Sequence, residues 1–208
     1  MEDRPWKHQE WFGTRDDLYA VGAVIAAWNL CEQALQEIVR RTLKLEWETS
    51  ERIFQLLGNQ SRTDLLRLEG KRLLSEEEFN HVSIFSRYYS ICGENRNLIA
   101  HASINRNAIQ GGVSLSKISS KDRLSRNEFS VSQAEMIEVA DAIYDLGQFG
   151  FFTAHAIWAG PTRMLFVGET AMPMPLPDIF PQPRKLTPRP EAQNSEPRQR
   201  RSSRVKSE

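Results

Sequence analysis

The stretch DDLYAVGAVIAAWNLCEQALQEIVRRTLK, residues 16–44, decides the fold. Its apolar residues Leu18, Val21, Val24, Ile25, Trp28, Leu35, Ile38, Val39 and Leu43 recur largely in steps of three and four, which puts them on one face of a helix. Asp16 and Asp17 stand near its start, and Arg40, Arg41 and Lys44 near its end, where each sign complements the helix macrodipole. A long helix with one apolar face requires other elements to cover that face.

The rest of the chain supplies helices. Of ten prolines, Pro5 is one and the other nine lie at Pro161 or later, so nothing between Trp6 and Gly160 removes a helical donor or clashes with a preceding turn. A second helical region spans Thr49 to Leu57 and is interrupted at Gly58-Asn59-Gln60; Ser61 is expected to cap the next piece, which runs to about Leu74. Ser75 through Glu78 form a capping-box pattern, and the helix behind it carries Phe79, Val82, Phe85, Tyr88, Tyr89, Cys92, Leu98 and Ile99 as far as about His101. Residues 105–130 differ. Gly111-Gly112 followed by the alternation Val113, Leu115, Ile118 predicts a loop or short β-hairpin. Ser132 through Glu135 make a second capping box and open a last helix through Met136, Val139, Ile143, Leu146 and Phe149 toward Trp158.

This layout predicts an all-α bundle of four to five helices with an insertion before the last. Residues 1–15 form an N-terminal arm, 16–160 the bundle, 161–181 an extended proline-rich segment and 182–208 a disordered basic tail. Lys+Arg and Asp+Glu balance at 27 each, but eight basic residues and three acids fall from Gln182 onward, which leaves the tail at +5 and the remainder at −5. The tail run Arg198 to Arg204 could hold RNA or another anion by charge alone, or be a solvated end. The two cysteines, Cys31 and Cys92, lie inside helical patterns and are expected as buried thiols in a reducing compartment. Residues 1–11 lack the apolar core of a secretory leader, and the longest uncharged stretch, Leu146 to Thr162, is too short and too polar for a span, so a cytoplasmic location without membrane association is expected. Trp6 and Trp11 are expected to pack on the bundle, and Phe149, Phe151, Phe152 and Trp158 to serve core or interface. His8, His81 and His155 show no metal-ligand spacing, and no phosphate-loop or dinucleotide motif is present, so neither a metal nor a cofactor is expected.

Glu94-Asn-Arg-Asn-Leu-Ile-Ala-His101 is the segment that can carry chemistry. Asn97 and His101, four apart, share a helix face, and the stem of Arg96 can bring its guanidinium to the same patch. An imidazole can move a proton near neutral pH, and a guanidinium can hold a phosphate by paired hydrogen bonds. Together they suit cleavage of RNA by its own 2′-hydroxyl; equally, such residues cap carbonyls at helix ends. Glu32 lies in line with Ile25 and Val39 on the first helix. It either requires a partner, for which Arg96 is a candidate, or sits at the stripe's edge and reaches water.

At these residues the chain resembles the HEPN superfamily (higher eukaryotes and prokaryotes nucleotide-binding), whose hallmark is an Arg, a polar residue, several intervening residues and a His near the end of a bundle helix. Arg96-Asn97-Leu98-Ile99-Ala100-His101 fits that pattern, over a similarity spanning about Asp16 to Ala159. The resemblance implies a homodimer with two motifs facing one RNA-cleaving cleft: Arg96 at the scissile phosphate, His101 in proton transfer, Asn97 orienting the site and Glu32 supporting it. It further implies a metal-independent endoribonuclease of phage defence, RNA processing or a toxin–antitoxin pair, with an antitoxin or other protein as partner. In the branch paired with nucleotidyltransferase antitoxins a Tyr stands two places after the His; here that place is Ser103, which counts against that branch. The alternative is a non-catalytic helical interaction module that binds a protein or nucleotide partner.

Overall fold

The computed structural model describes residues 14–101, 103–105, 112–118, 126–161, 163–167 and 170–187. Five helices make up the described bundle: α1 (Arg15–Leu43), α2 (Trp47–Leu56), α3 (Asn59–Leu73), α4 (Glu76–His101) and α5 (Gln133–Ala159). The N-terminal arm with Trp6 and Trp11, and the tail from residue 188 with its Arg198–Arg204 run, lie outside the described residues.

Local chemistry fixes the helix ends. Thr14 caps α1: its hydroxyl accepts from the Asp17 amide at 3.2 Å, while the Asp17 carboxylate accepts from the Thr14 amide at 2.8 Å. Lys44 ends the helix in the left-handed conformation (φ 54°). The two expected capping boxes are present. The Ser75 and Ser132 hydroxyls accept from the amides of Glu78 and Glu135 at 3.3 and 3.1 Å. The start of α3 differs from expectation. Its N-cap is Gly58, which has no side chain to offer, and Ser61 falls inside the first turn. The reason is tertiary. Arg62 reaches back to donate to the Phe54 carbonyl at the end of α2 and to Asn59 Oδ1, and this ties the two helices together one turn earlier.

Residues between α4 and α5 form a three-stranded antiparallel sheet, more than the expected hairpin. β1 (Ser103–Asn105) pairs with β2 (Gly112–Ile118), which pairs with β3 (Arg126–Ser132). Leu115 stands opposite Ile104 on one side and Phe129 on the other. Ser132 closes β3 and caps α5, so the sheet runs into the last helix without a linker.

α1 lies in the middle of the bundle, with Val24, Trp28, Cys31, Leu35, Ile38 and Val39 buried. By length and composition it could cross a membrane; here its apolar face is spent on the core. Each fully buried Leu or Ile contributes about 1.5–3 kcal/mol over leaving it in water. The principal packing is against α5, and two glycines make it close. A Cβ at Gly150 would come within 2.5 Å of Phe85 Cε2 and 2.9 Å of Ala34 Cβ; one at Gly147 would press on Leu30 at 3.3 Å. Among the α5 aromatics, Phe149 is buried and Phe151 packs against the core, while Phe152 and Trp158 are about half exposed.

After α5 the chain turns through a hairpin, β4 (Met164–Val167) and β5 (Thr170–Pro173), and then runs without helix or strand from residue 174 to 187. This run is a strap along α4. His81 Nε2 meets the Pro177 carbonyl at 3.1 Å, Tyr88 donates to the Phe180 carbonyl at 3.4 Å, and Phe180 sits edge-on to Tyr88 and Phe149. The strap then ends in a clamp. The Asn95 amide donates to the Arg184 carbonyl at 2.8 Å and accepts from the Leu186 amide at 3.0 Å. Residues 182–187, expected as the start of the tail, are therefore held by partners on α4 and α5, with Lys185 paired to Glu94 and Arg184 to Glu135.

Candidate functional site

The last turn of α4 brings three of the four expected residues together. Leu98 and Ile99 face the core and are nearly fully buried, which turns Asn97 and His101 outward and leaves Arg96 at the boundary. Arg96 Nη1 donates to Asn97 Oδ1 at 3.0 Å and to His101 Nε2 at 3.2 Å. A guanidinium has only protons to give, so Nε2 carries a lone pair and the ring proton sits on Nδ1. Arg96 Nε–H is buried and has no partner among the described residues, which costs free energy until something accepts from it. His101 is the final residue of α4, and β1 starts two residues later, so the imidazole stands at the junction of bundle and sheet.

Glu32 is not part of this cluster. Its carboxylate pairs with Arg62 Nη1 at 3.8 Å, with the Glu32 side chain 34 % exposed, so it lies on the edge of the α1 stripe and Arg96 is not its partner. The same pair bears on Tyr89. Burial pushes this phenol well above its ordinary range, the Glu32 carboxylate and the Cys31 thiol add to the rise, and Arg62 opposes it. The hydroxyl is buried, and the Arg62 guanidinium is the polar group that answers it.

A cleft of about 200 Å³ opens beside the cluster, between α1, α3 and α4, lined by Trp28, Asn59, Gln60, Tyr89, Ser90 and Asn97 among others. Asn97 thus touches Arg96 with its oxygen and the cleft with its residue surface. Trp28 and Tyr89 form the aromatic floor, with ring centroids 4.6 Å apart, and Gly93 admits the indole: a Cβ there would sit 3.0 Å from Trp28 Cη2.

Neither cysteine offers an alternative nucleophile. Both are free and buried; burial pushes the Cys92 thiol up to about 12 and the Cys31 thiol well above its ordinary value, so neither ionises near neutral pH. A wider cleft of about 920 Å³ lies at the other end of α4, between Arg41, Glu76 to Glu78, Trp158 and Arg163. Two of its charges answer one another, and a third is answered from outside the lining. Arg163 pairs with Glu77 at 2.6 Å, and Arg41 lies near Glu37 at 3.4 Å and over the Trp158 ring at 4.8 Å.

Sequence reasoning missed Asn95. It stands inside the quoted segment, yet its role depends on the strap, whose docking has no local signal. It also missed Arg62 and Tyr89, for which only the oddity of Glu32 on the apolar stripe gave a hint. Compared with known proteins, the chain matches no family model, no curated protein and no solved structure.

Proposed function

We propose that this chain is a HEPN-type endoribonuclease, working as a homodimer and cleaving RNA through the substrate's own 2′-hydroxyl without a metal. The observation that carries the reading is the Arg96 guanidinium bridging Asn97 Oδ1 and His101 Nε2 at an exposed helix end. The His101 Nε2 lone pair is suited to take the proton of a 2′-hydroxyl. The freed oxygen attacks the adjacent phosphorus, the bond to the 5′-oxygen breaks, and the products are a 2′,3′-cyclic phosphate and a 5′-hydroxyl. Arg96, released from the imidazole by an incoming phosphate, can offer its fork to the oxygens that gain charge, including the Nε–H that now lacks an acceptor. Asn97 holds the guanidinium in place. In the dimer, a second copy's motif across the twofold would supply the group that protonates the leaving 5′-oxygen. Phage defence or a toxin–antitoxin pairing with a protein antitoxin is the setting that follows from this reading.

The test is cleavage of a mixed RNA pool by the purified protein in excess EDTA, beside His101→Ala. The expected result is cleavage that survives EDTA, leaves cyclic phosphate ends and disappears in the variant. A folded dimer that cleaves no RNA at any pH would replace this reading with the non-catalytic binding module.

A further inference from the structure

We propose that His81 is a proton-operated latch on the strap: docking of residues 174–187 takes up a proton, and the strap loosens as pH rises. This role is independent of any ribonuclease activity. His81, Tyr88 and Asn95 stand seven residues apart on α4, in one row that meets the main chain of the strap. Of these three side-chain types, only an imidazole changes charge near neutral pH. His81 is 7 % exposed, and both of its ring nitrogens face carbonyl oxygens: Nδ1 lies 2.9 Å from the Glu77 carbonyl and Nε2 3.1 Å from the Pro177 carbonyl. A carbonyl oxygen only accepts. A neutral imidazole has one N–H, so one of the two contacts would set a ring lone pair against an oxygen lone pair; the imidazolium donates to both. With the strap away, a neutral ring with its proton on Nδ1 answers the Glu77 carbonyl, and Nε2 meets water, which can donate to it. Docking therefore favours the second proton.

The surroundings admit the charge. Phe149 of α5 stacks on the ring, with centroids 5.8 Å apart and planes 15° from parallel, and an aromatic face favours a cation. The charged groups around it are Glu77 and Glu78, one turn back on α4, Asp178, which follows Pro177 on the strap, and Arg163, just ahead of β4. Glu78 is held in the Ser75 cap, and Arg163 donates to Glu77 at 2.6 Å. Three carboxylates against one guanidinium leave the neighbourhood net negative, which suits an imidazolium. The hydrogen bond from Arg163 holds the Glu77 carboxyl below its ordinary value against the cost of desolvation, and the charges of Arg163 and His81 add to that effect. Glu77 is therefore ionised throughout the range in which an imidazole titrates and stays a fixed charge there. Because the docked state binds the extra proton, docking is strongest below the imidazole range and weakens as pH rises through it.

The test is limited digestion of the full chain with proteinase K from about pH 5.5 to about pH 8, the span in which an imidazole changes charge. Cleavage within residues 174–187 is read by mass and divided, at each pH, by cleavage of a free peptide of the same sequence. In wild type the normalised rate is expected to rise about tenfold or more across that span, whereas His81→Gln, whose carboxamide does not titrate, should give a flat profile. Asn95→Ala should be cleaved faster throughout and keep the rise. A flat wild-type profile overturns the latch, and so does an equal rise in His81→Gln. Ring ¹⁵N spectra of the wild-type chain need no variant. Both His81 nitrogens are expected to carry protons at the acid end, and one proton should leave over the same span in which the strap is released. A His81 ring with a single proton at both ends of the span, the strap still docked at the acid end, overturns the latch whatever the variants do.

Discussion

The last turns of α4 have a covered side and an open side, and two asparagines two residues apart belong to one each. Asn95 is buried, and both ends of its amide are spent on the backbone of the strap. Asn97 is exposed; its oxygen holds Arg96 and its surface lines a cleft. The residue type is the same, and the chemistry differs because of what lies opposite. A carboxamide between two backbone groups imitates a strand neighbour and fixes a chain in place. A carboxamide facing solvent keeps a donor for something that arrives later. The difference teaches that the segment around Arg96 is half anchor and half open surface, and that substitutions can separate the two.

The largest effect should come from the open side. His101→Ala is expected to lower RNA cleavage by roughly 10²–10⁴-fold, the usual scale of a proton-transfer group, with the melting temperature unchanged because the imidazole is exposed. A fall in stability comparable to the fall in activity would show that the open side is an anchor after all. Asn95→Ala attacks the covered side. It strands the Arg184 carbonyl and the Leu186 amide and should cost about 1–3 kcal/mol in chemical denaturation, with faster proteolysis within residues 174–187. A variant as stable and as protease-resistant as wild type would mean that the clamp holds nothing. Asn97→Ala should leave stability where it is and reduce cleavage about tenfold, a loss of about 1.4 kcal/mol in transition-state stabilisation; equal damage from Asn95→Ala and Asn97→Ala in both assays would erase the distinction. Smallest of all is Glu94→Gln, which removes the carboxylate that pairs with Lys185. Both side chains are more than half exposed, so at most about 1 kcal/mol is expected at low salt and nothing measurable at high salt.

How much of this was legible in the sequence depends on how local the cause is. The α1 stripe and the capping boxes at Ser75 and Ser132 were readable because period and cap are written within one or two turns. The Asn97–His101 spacing was readable for the same reason, and Arg96 joined it because a long stem tolerates a step of one residue. The insertion was readable in part: the alternation from Val113 to Ile118 marked one strand, while β1, three residues long, is set by pairing with Ser114 to Ser116 and has no pattern of its own. Gly58 and Asn59 looked like an interruption, and the helix starts there because Arg62 binds back across it. The strap was the least legible. Its prolines announce an extended chain, but what holds it is a carboxamide, an imidazole and a phenol on a helix far back in the sequence. The Gly147–Gly150 pair was likewise invisible as packing, since only the nearness of Ala34 and Phe85 makes a missing Cβ matter.

The strap also has a consequence in time. Its contacts with His81, Tyr88 and Asn95 join residues 89 to 96 positions apart. At roughly 5–20 residues per second of synthesis, α4 waits on the order of 5–20 s for the segment that completes it. Closing so long a loop is favourable only once the helices it rests on have formed, so the strap docks last and detaches first. A nascent chain stopped short of residue 184 would carry a formed helix end with its Asn95 clamp empty. Arrival of residues 184–186 is thereby recorded one residue away from Arg96.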